Sequence, residues 1–218
     1  MATIVTGTIP AEEFALVHTL ETEPTTRFEC ERIIKSGEEA VMPLLWARNV
    51  DRLELEDAFD ADSTVDRVRL LADFDDEYLY RMDWVDHVQL LLGMLTNGEA
   101  TILDAYGKRE EWCLRVMFPT RDKFSETHDF CAEHGLTFDI DSIRELDGQP
   151  AGRFGLTEGQ YDALVLAAKE GYYSVPQERT LEELSDELGI THQALSERLH
   201  RGTEALVEDT LLVGTDST

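Results

Sequence analysis

Three helix starts follow one another within residues 156–207, and their spacing constrains the fold more than any other feature of the sequence. Thr157 with Gln160, and again Thr180 with Glu183, have the spacing of a capping box, in which each side chain accepts a hydrogen bond from the other residue's backbone N–H. Thr191 is a favourable N-cap for a third helix. We therefore predict three helices, of which the last two are separated by only a few residues.

A sharp turn separates the second of these helices from the third. Gly189 can adopt the left-handed backbone that such a turn needs, and Ile190 is the apolar residue that fills it. Leu195 and Leu199 lie one turn apart and predict the buried face of the third helix. The opposite face is polar, which is typical of the helix that enters a DNA major groove. The candidate DNA-binding residues on or beside this face are His192, Gln193, Ser196, Glu197, Arg198, His200 and Arg201.

Each polar side chain of this helix has a chemistry that suits one kind of DNA contact. Gln193 is the best adenine reader, and Arg201 suits either guanine or a phosphate. The Glu197 carboxylate can accept a hydrogen bond from cytosine N4, or it excludes other bases. Arg198 can contact a phosphate at the border of the helix. The residues expected to contact either phosphates or bases are His192, Ser196 and His200.

Three stretches of this region carry a more specific pattern than a bare helix-turn-helix. They read LT-x-x-Q, then A-x-x-x-GYY-x-VP, then TLEEL-x-x-ELGIT-x-Q-x-LSERL-x-RGTEALV. This pattern resembles the HTH-10 domain of the haloarchaeal bacterio-opsin activator (Bat) family. The resemblance implies a sequence-specific DNA-binding transcription regulator that acts on double-stranded DNA. The family usually has basic residues where Gln177 and His200 stand here, which implies weaker phosphate contact at these two positions.

Other functions remain open when the residues alone are considered. A three-helix unit can also be a protein-interaction domain or a structural cap. One rival function is an adaptor or sigma-like protein that contacts the transcription machinery, and another is a metabolite- or metal-sensing module with a secondary helix-turn-helix. The sequence has no Walker A loop, no G-x-G-x-x-G and no nucleophile elbow. We therefore expect no enzymatic activity and no cofactor.

The charge balance is strongly acidic, with 46 acids against 19 bases and a net charge of −27. Residues 151–218 contain 13 acids and 5 bases, so this part alone carries −8. Such an excess normally argues against a nucleic-acid partner. A cytoplasm at molar salt explains it differently, because charges there are screened within about 3 Å. We interpret the charge as the signature of a halophilic protein.

Composition also indicates the compartment. No apolar run approaches the ~20 residues of a membrane span, and the N-terminus has neither a basic region nor a signal-peptide core. We expect a cytoplasmic protein with no membrane partner. The cysteines are Cys30, Cys113 and Cys131, and an odd number without a secretory signal favours reduced thiols.

Alternating and helical patterns in the first half predict β-α-β-β-α-β twice, so the predicted fold class is α+β with tandem ferredoxin-like units before the three helices. The predicted units are about 1–75 and 77–146, within a sensing or dimerisation region of 1–146. A Gly- and Pro-containing linker at 147–155 and a DNA-binding domain at 156–212 follow. We expect a homodimer paired through the exposed sheet edges of the first 150 residues.

Three of the predicted elements in this half have particular boundaries. Ala11–Leu20 is predicted as a short helix and Leu136–Ile143 as the last strand. Asp86 is predicted to cap an apolar helix over His87–Leu95.

Several side-chain clusters have a possible ligand role. His128, Cys131 and His134 lie on one side of a predicted helix and are weak candidates for metal binding or redox sensing, although His134 also suits the negative end of the helix dipole. A solvated acidic turn is the simpler interpretation of Asp73, Asp75, Asp76 and Glu77, which could otherwise bind a hard cation. Tyr80, Met82 and Trp84 form an apolar stripe at strand spacing. Such a stripe can line a ligand pocket, but more commonly it belongs to the core. We expect no metal site.

Overall fold

The computed structural model describes residues 1–36, 40–85, 99–146 and 154–211, with the backbone alone for 32–36 and 40–42. The chain divides into two compact units, Met1–Glu145 and Leu146–Thr218. The predicted helix at 87–95, the N-terminal part of the predicted linker and residue 212 lie outside the described residues. None of the helices in the described ranges is long and apolar enough to cross a bilayer.

The first unit is built on one antiparallel sheet, which contains eight strands within the described residues. In chain order the strands are β1 (Thr3–Pro10), β2 (Arg27–Ser36), β3 (Ala40–Arg48), β4 (Val65–Asp73), β5 (Glu77–Trp84), β6 (Thr101–Lys108), β7 (Glu111–Phe118) and β8 (Asp139–Glu145). Their order across the sheet is β4-β5-β3-β2-β6-β7-β1-β8. The predicted α+β class is therefore confirmed for this unit in its coarse form.

Both units contain helices within the described residues. A short 3₁₀ helix, Ala11–Glu13, precedes α1 (Val17–Thr22), α2 (Arg52–Ala61) and α3 (Arg121–Glu133) in the first unit. The second unit contains α4 (Glu158–Lys169), α5 (Leu181–Leu188) and α6 (His192–Thr210).

The sheet differs from two separate ferredoxin-like units in the placement of two strands. In a split β-α-β unit the first strand lies between the third and the fourth. Here β5 lies between β3 and β4, and β1 lies between β7 and β8. β5 thus occupies the place expected for β1, and β1 occupies the place expected for β5. The predicted tandem of self-contained units is not confirmed, because the two halves share one continuous sheet.

Aromatic side chains fill the core at the centre of this sheet. The ring centroids of Phe14 and Trp112 are 5.1 Å apart, those of Phe14 and Trp84 are 5.3 Å apart, and all three side chains are buried. Trp112 Nε1 also donates a hydrogen bond to the backbone oxygen of Ala15 at 2.7 Å. The stripe of Tyr80, Met82 and Trp84 belongs to this core. Burial of these rings is a large apolar contribution to the stability of the first unit.

The predicted helix over Ala11–Leu20 is interrupted. Leu16 has a left-handed backbone with φ of 60°, and its N–H donates to Thr64 Oγ1 at 2.8 Å. Thr64 and Thr19 both donate hydroxyl hydrogen bonds to the buried carboxylate of Asp62, at 2.6 and 2.9 Å. These long-range hydrogen bonds compete with a continuous helix, and periodicity within the segment does not reveal them.

The last strand begins later than predicted, at Asp139 instead of Leu136. The backbone N–H of Leu136 donates to the oxygen of Cys131 at 2.9 Å, and the hydroxyl of Thr137 donates to Glu13 at 2.9 Å. The backbone of this segment therefore continues the end of α3 instead of joining the sheet.

Both edge strands carry features that oppose pairing with another sheet. On β4, Asp66, Arg67 and Arg69 are exposed, and the register with β5 shifts twice. Along β8, exposed Asp139 and Asp141 place carboxylates at the other edge. Charges and bulges at sheet edges are common protections against edge-to-edge association.

Candidate nucleic-acid interface

The second unit forms its helix-turn-helix through the predicted caps. The Thr180 hydroxyl accepts from the backbone N–H of Glu183 at 3.3 Å, and the Glu183 carboxylate accepts from the N–H of Thr180 at 2.7 Å. Gly189 ends α5 with φ of 64°, and the Thr191 hydroxyl accepts from the N–H of Ala194 at 3.1 Å. The equivalent box of α4 is also present. The predicted starts of α4, α5 and α6 are confirmed.

A small apolar core fixes the rotation of α6 about its own axis. Leu195 is fully buried and Leu199 is 7 % exposed, and both belong to one cluster with Leu184 of α5 and with Ala163 and Ala167 of α4. The two leucines are therefore the buried face of α6, as predicted. Because the helix is rigid, this face determines which side chains point into solvent.

The side chains opposite these leucines form the exposed polar face of α6. Gln193, Glu197, His200 and Arg201 are exposed along it, and His192 is exposed in the first turn of the helix, outside this face. Two predicted contact residues are less accessible, because Ser196 and Arg198 are half-buried. The structure thus brings four of the seven candidates to one solvent-facing surface, with Ser196 and Arg198 at its border and His192 at the start of the helix.

Gln193 and Glu197 interact with each other on this surface. The Gln193 amide nitrogen donates to the Glu197 carboxylate at 3.2 Å, one helical turn away. A glutamine amide has two donor hydrogens and one acceptor oxygen, so one hydrogen and the oxygen remain for a partner. The Glu197 carboxylate therefore orients Gln193 and leaves one amide N–H and the amide oxygen free to form hydrogen bonds with a base edge.

Arg198 lies against the first turn of α4. A Cβ atom added at Gly159 would be 3.3 Å from an Arg198 guanidinium nitrogen, which indicates that the guanidinium covers this glycine. Its position at the border of the polar face agrees with the sequence prediction. Its packing role between two helices could not be predicted from α6 alone.

Arg179 is an important residue that the sequence analysis missed. It lies before α5, and its guanidinium forms ion pairs with Glu187 at 2.9 Å, Glu170 at 3.2 Å and Glu183 at 3.8 Å. These contacts join the C-terminal end of α4 to α5. The four-residue spacing of Arg179 and Glu183 was the available signal, but it does not indicate the contact with Glu170.

Charge on this unit is distributed unevenly. Among the described residues, Lys169, Arg198 and Arg201 have no carboxylate within ion-pair distance. The exposed surface of α5 is acidic, with Glu182 and Asp186 in addition to the glutamates that pair with Arg179. The pKa of Glu183 is lowered below its ordinary value mainly by the hydrogen bond from the backbone of Thr180, and further by the hydrogen bond from the Thr180 side chain. The available cations thus lie on α4 and α6 and not on α5.

The weak metal candidates on α3 do not share one site. Cys131 is buried, and burial raises the pKa of its thiol. His134 Nδ1 lies 2.8 Å from the backbone oxygen of Phe130, and the two rings stack with centroids 4.0 Å apart. His128 faces Asp129 at 3.9 Å. No group of three metal-binding side chains occurs among the residues that the structure describes.

Several of the other ligand candidates form ion pairs or have thiols that are harder to deprotonate. In the acidic turn, Asp73 pairs with Arg52 at 3.2 Å and Glu77 with Arg48 at 2.8 Å. All three cysteines are free thiols, and burial also raises the pKa of Cys30 and Cys113. A thiol that is harder to deprotonate is a poorer nucleophile and a poorer metal ligand.

Comparison with known families adds an independent observation. Residues 156–208, which contain α4, α5 and α6, match the family described as the HTH-10 DNA-binding domain. Residues 5–155 match BAT, described as the GAF and HTH-10 associated domain, over more than half of the chain. This chain belongs to the Bat-like HTH-10 regulators. A search of curated proteins gave no match.

Membership assigns each compact unit to one family domain. The strand-exchanged sheet is the BAT region, and the capped three-helix unit is the HTH-10 domain. The chain is therefore a DNA-binding helix-turn-helix regulator, as its sequence resemblance implied. Members of such regulator families are typically not enzymes.

Proposed function

We propose that this Bat-like HTH-10 regulator binds a specific sequence of double-stranded DNA through α6 in the major groove. The observation that supports this most is the orientation of α6, whose polar side lies opposite buried Leu195 and Leu199. A capped short helix followed by a glycine turn is the arrangement in which the second helix reads base edges.

Within this proposal each exposed side chain has a role. Gln193, oriented by Glu197, reads adenine, while Glu197 accepts from cytosine N4 or excludes other bases. Arg201 contacts guanine or a phosphate, and half-buried Arg198 contacts a phosphate at the helix border. The further contacts to phosphates or bases are made by His192, Ser196 and His200.

The BAT region is proposed to regulate the HTH-10 domain. We propose boundaries at 1–146 for the regulatory region and 156–212 for the DNA-binding domain, joined by 147–155. The signal that the BAT region receives would be a metabolite or a contact with another protein. In a halophilic cytoplasm, the acidic surface of the chain would remain soluble at molar salt.

We also propose that the regulator acts as a homodimer. One helix-turn-helix reads a short site, whereas a two-fold dimer reads two half-sites about one helical turn apart. Pairing through the first 150 residues stays a prediction. The charges and bulges at both sheet edges do not favour it.

Selection of bound duplexes from a random pool with the purified full chain in molar KCl tests the proposal. An enriched sequence that the protein protects by itself in a footprint is the expected result. The rival function, an adaptor that contacts the transcription machinery, has a specific observation in its favour, namely the acidic surface of α5. It predicts no footprint without the polymerase or its factors.

A further inference from the structure

An open apolar groove of about 530 Å³ runs along the HTH-10 domain between α4 and the second half of α6. Three of its lining residues are aromatic, namely Phe154, Tyr161 and Tyr173, and Phe154 and Tyr173 are 42 % and 52 % exposed. Val165 and Leu206 line it from α4 and α6. None of these five side chains belongs to the core cluster of the domain. Another lining residue, Leu164, packs against that cluster, so these five side chains are additional to the contacts that hold the three helices together.

Helix α4 is apolar on two sides. Ala163 and Ala167 are buried in the domain core, whereas Tyr161, Val165 and Ala168 face the groove. A helix that is apolar nearly all round is normally covered on both faces. Tyr161, Leu164, Val165 and Ala168 recur at helical spacing along α4, and all four line the groove.

Charge restricts what can cover this surface. The lining contains no carboxylate and no cation, although residues 151–218 carry −8 and the whole chain −27. Two copies of such a chain repel each other wherever their acidic surfaces approach. Repulsion is smallest where both surfaces are uncharged, and the central part of a protein interface is typically depleted of charge and rich in aromatic residues.

We propose that the groove is the surface through which two copies of this chain associate, groove against groove, about a two-fold axis. The same patch then serves both copies, as closed two-fold symmetry requires. At 100° per residue, Leu206 lies about 140° around α6 from Gln193 and about 180° from Glu197. Association through Leu206 therefore leaves the polar faces of both α6 helices free. The value of this arrangement for operator recognition rests on the proposed function, but the association itself does not.

Salt dependence distinguishes this interface from one built on ion pairs. An apolar contact between two polyanions is opposed by their mutual repulsion, and added KCl screens that repulsion. Self-association through the groove is therefore expected to strengthen as KCl increases. An interface stabilised by exposed ion pairs would weaken over the same range.

The test is sedimentation velocity on the full chain across a concentration series in molar KCl, without DNA. Wild type is expected to show a concentration-dependent dimer. Val165→Lys places a charge in the groove and should give a monomer. Val175→Lys is the matched control, since Val175 is 98 % exposed in the same domain and does not line the groove. Both variants lower the net negative charge equally, so only the loss of the apolar contact separates them.

Three results would overturn the proposal: a monomeric wild type throughout the series, an undiminished dimer in Val165→Lys, or an equal loss in Val175→Lys. Thermal melting of each variant shows whether it remains folded. If Val165→Lys melts early, Phe154→Ala, which trims an exposed groove residue outside the core, replaces it and should weaken the dimer. Failure of the DNA-binding proposal would appear separately, as a dimer that enriches no sequence.

Discussion

At the scale of single residues, the contact between Gln193 and Glu197 decides how the exposed face of α6 presents its polar groups. The 3.2 Å hydrogen bond between them holds the Gln193 amide over the helix surface. A glutamine oriented before DNA arrives loses less side-chain freedom on binding than a free one. The acidic partner also lowers affinity for any base edge that presents only acceptors.

We predict that Gln193→Ala and Glu197→Ala change sequence preference more than they change stability. Each should lose about 1–3 kcal/mol of discrimination between the selected operator and a scrambled duplex. Because both side chains are exposed, melting temperatures should stay close to that of wild type. Affinity for both duplexes and thermal melting of each variant provide the measurement.

A buried neighbour provides the control for this prediction. Leu195→Ala removes a fully buried side chain from the domain core and should cost about 2–5 kcal/mol of stability. If the two surface variants melt as early as Leu195→Ala, or keep the wild-type preference, the orientation assigned to α6 is incorrect.

Sequence patterns identified which residues of α6 are polar, but not which of the cations of the domain are available. Arg179 is held by three glutamates, and Arg198 lies over Gly159. Both contacts join helices that are separated along the chain. A pattern within one helix carries no information on such contacts, so neither the ion pairs of Arg179 nor the packing of Arg198 against α4 could be predicted.

At the scale of helices and strands, local signals were sufficient for the three helix starts of the HTH-10 domain, where each capping hydrogen bond closes within four residues. The caps at Thr157, Thr180 and Thr191 are of this kind, and each was predicted at its observed position. Strand neighbours are not of this kind, because alternation shows that a segment is a strand and not which strand lies beside it. The exchange of β1 and β5 was therefore outside the reach of the sequence.

Helix α5 has only eight residues, so its first turn is a large part of it. We predict that Thr180→Ala destabilises the HTH-10 domain by about 0.5–2 kcal/mol. Thr180→Ser is the matched control, because serine supplies the same hydroxyl cap and should retain most of the stability. Chemical denaturation followed by a signal specific to the helical domain measures the difference.

Acid should weaken the same cap. The folded-state pKa of Glu183 is lowered, so its contribution is present above the unfolded pKa and is lost as pH falls through the folded pKa. Glu183→Gln keeps a side-chain acceptor for the Thr180 N–H but does not titrate there. Its stability should therefore depend less on pH than that of wild type in the acidic range. Equal pH dependence would show that the cap does not depend on the charge of Glu183.

At the scale of the whole molecule, net charge opposes both folding and DNA binding. The chain carries −27, and the exposed surface of α5 in the DNA-binding unit is acidic. At low salt the chain repels itself and repels DNA. The Debye length falls from about 10 Å at 0.1 M salt to about 3 Å at 1 M, so both repulsions weaken as salt increases.

We therefore predict that the melting temperature increases from tenths of molar to molar KCl. Operator affinity should stay constant or increase over this range, with cations taken up between the two acidic surfaces. Ordinary DNA-binding proteins lose affinity steeply with salt, because their cations displace condensed counterions. A KCl titration of melting temperature and operator Kd on one preparation measures both. Steep loss of affinity in protein that stays folded would falsify this interpretation of the charge.

The exchanged strands of the BAT region also affect how the chain reaches its native state during synthesis. Thr3 pairs with Phe118 and with Glu145, so the first strand has neither neighbour until nearly the whole region has left the ribosome. β3 and β4 likewise remain apart until β5 is made. Contacts this distant along the chain slow folding and leave a nascent intermediate exposed. Neither half of the region can therefore complete its part of the sheet before the strand from the other half has been synthesised.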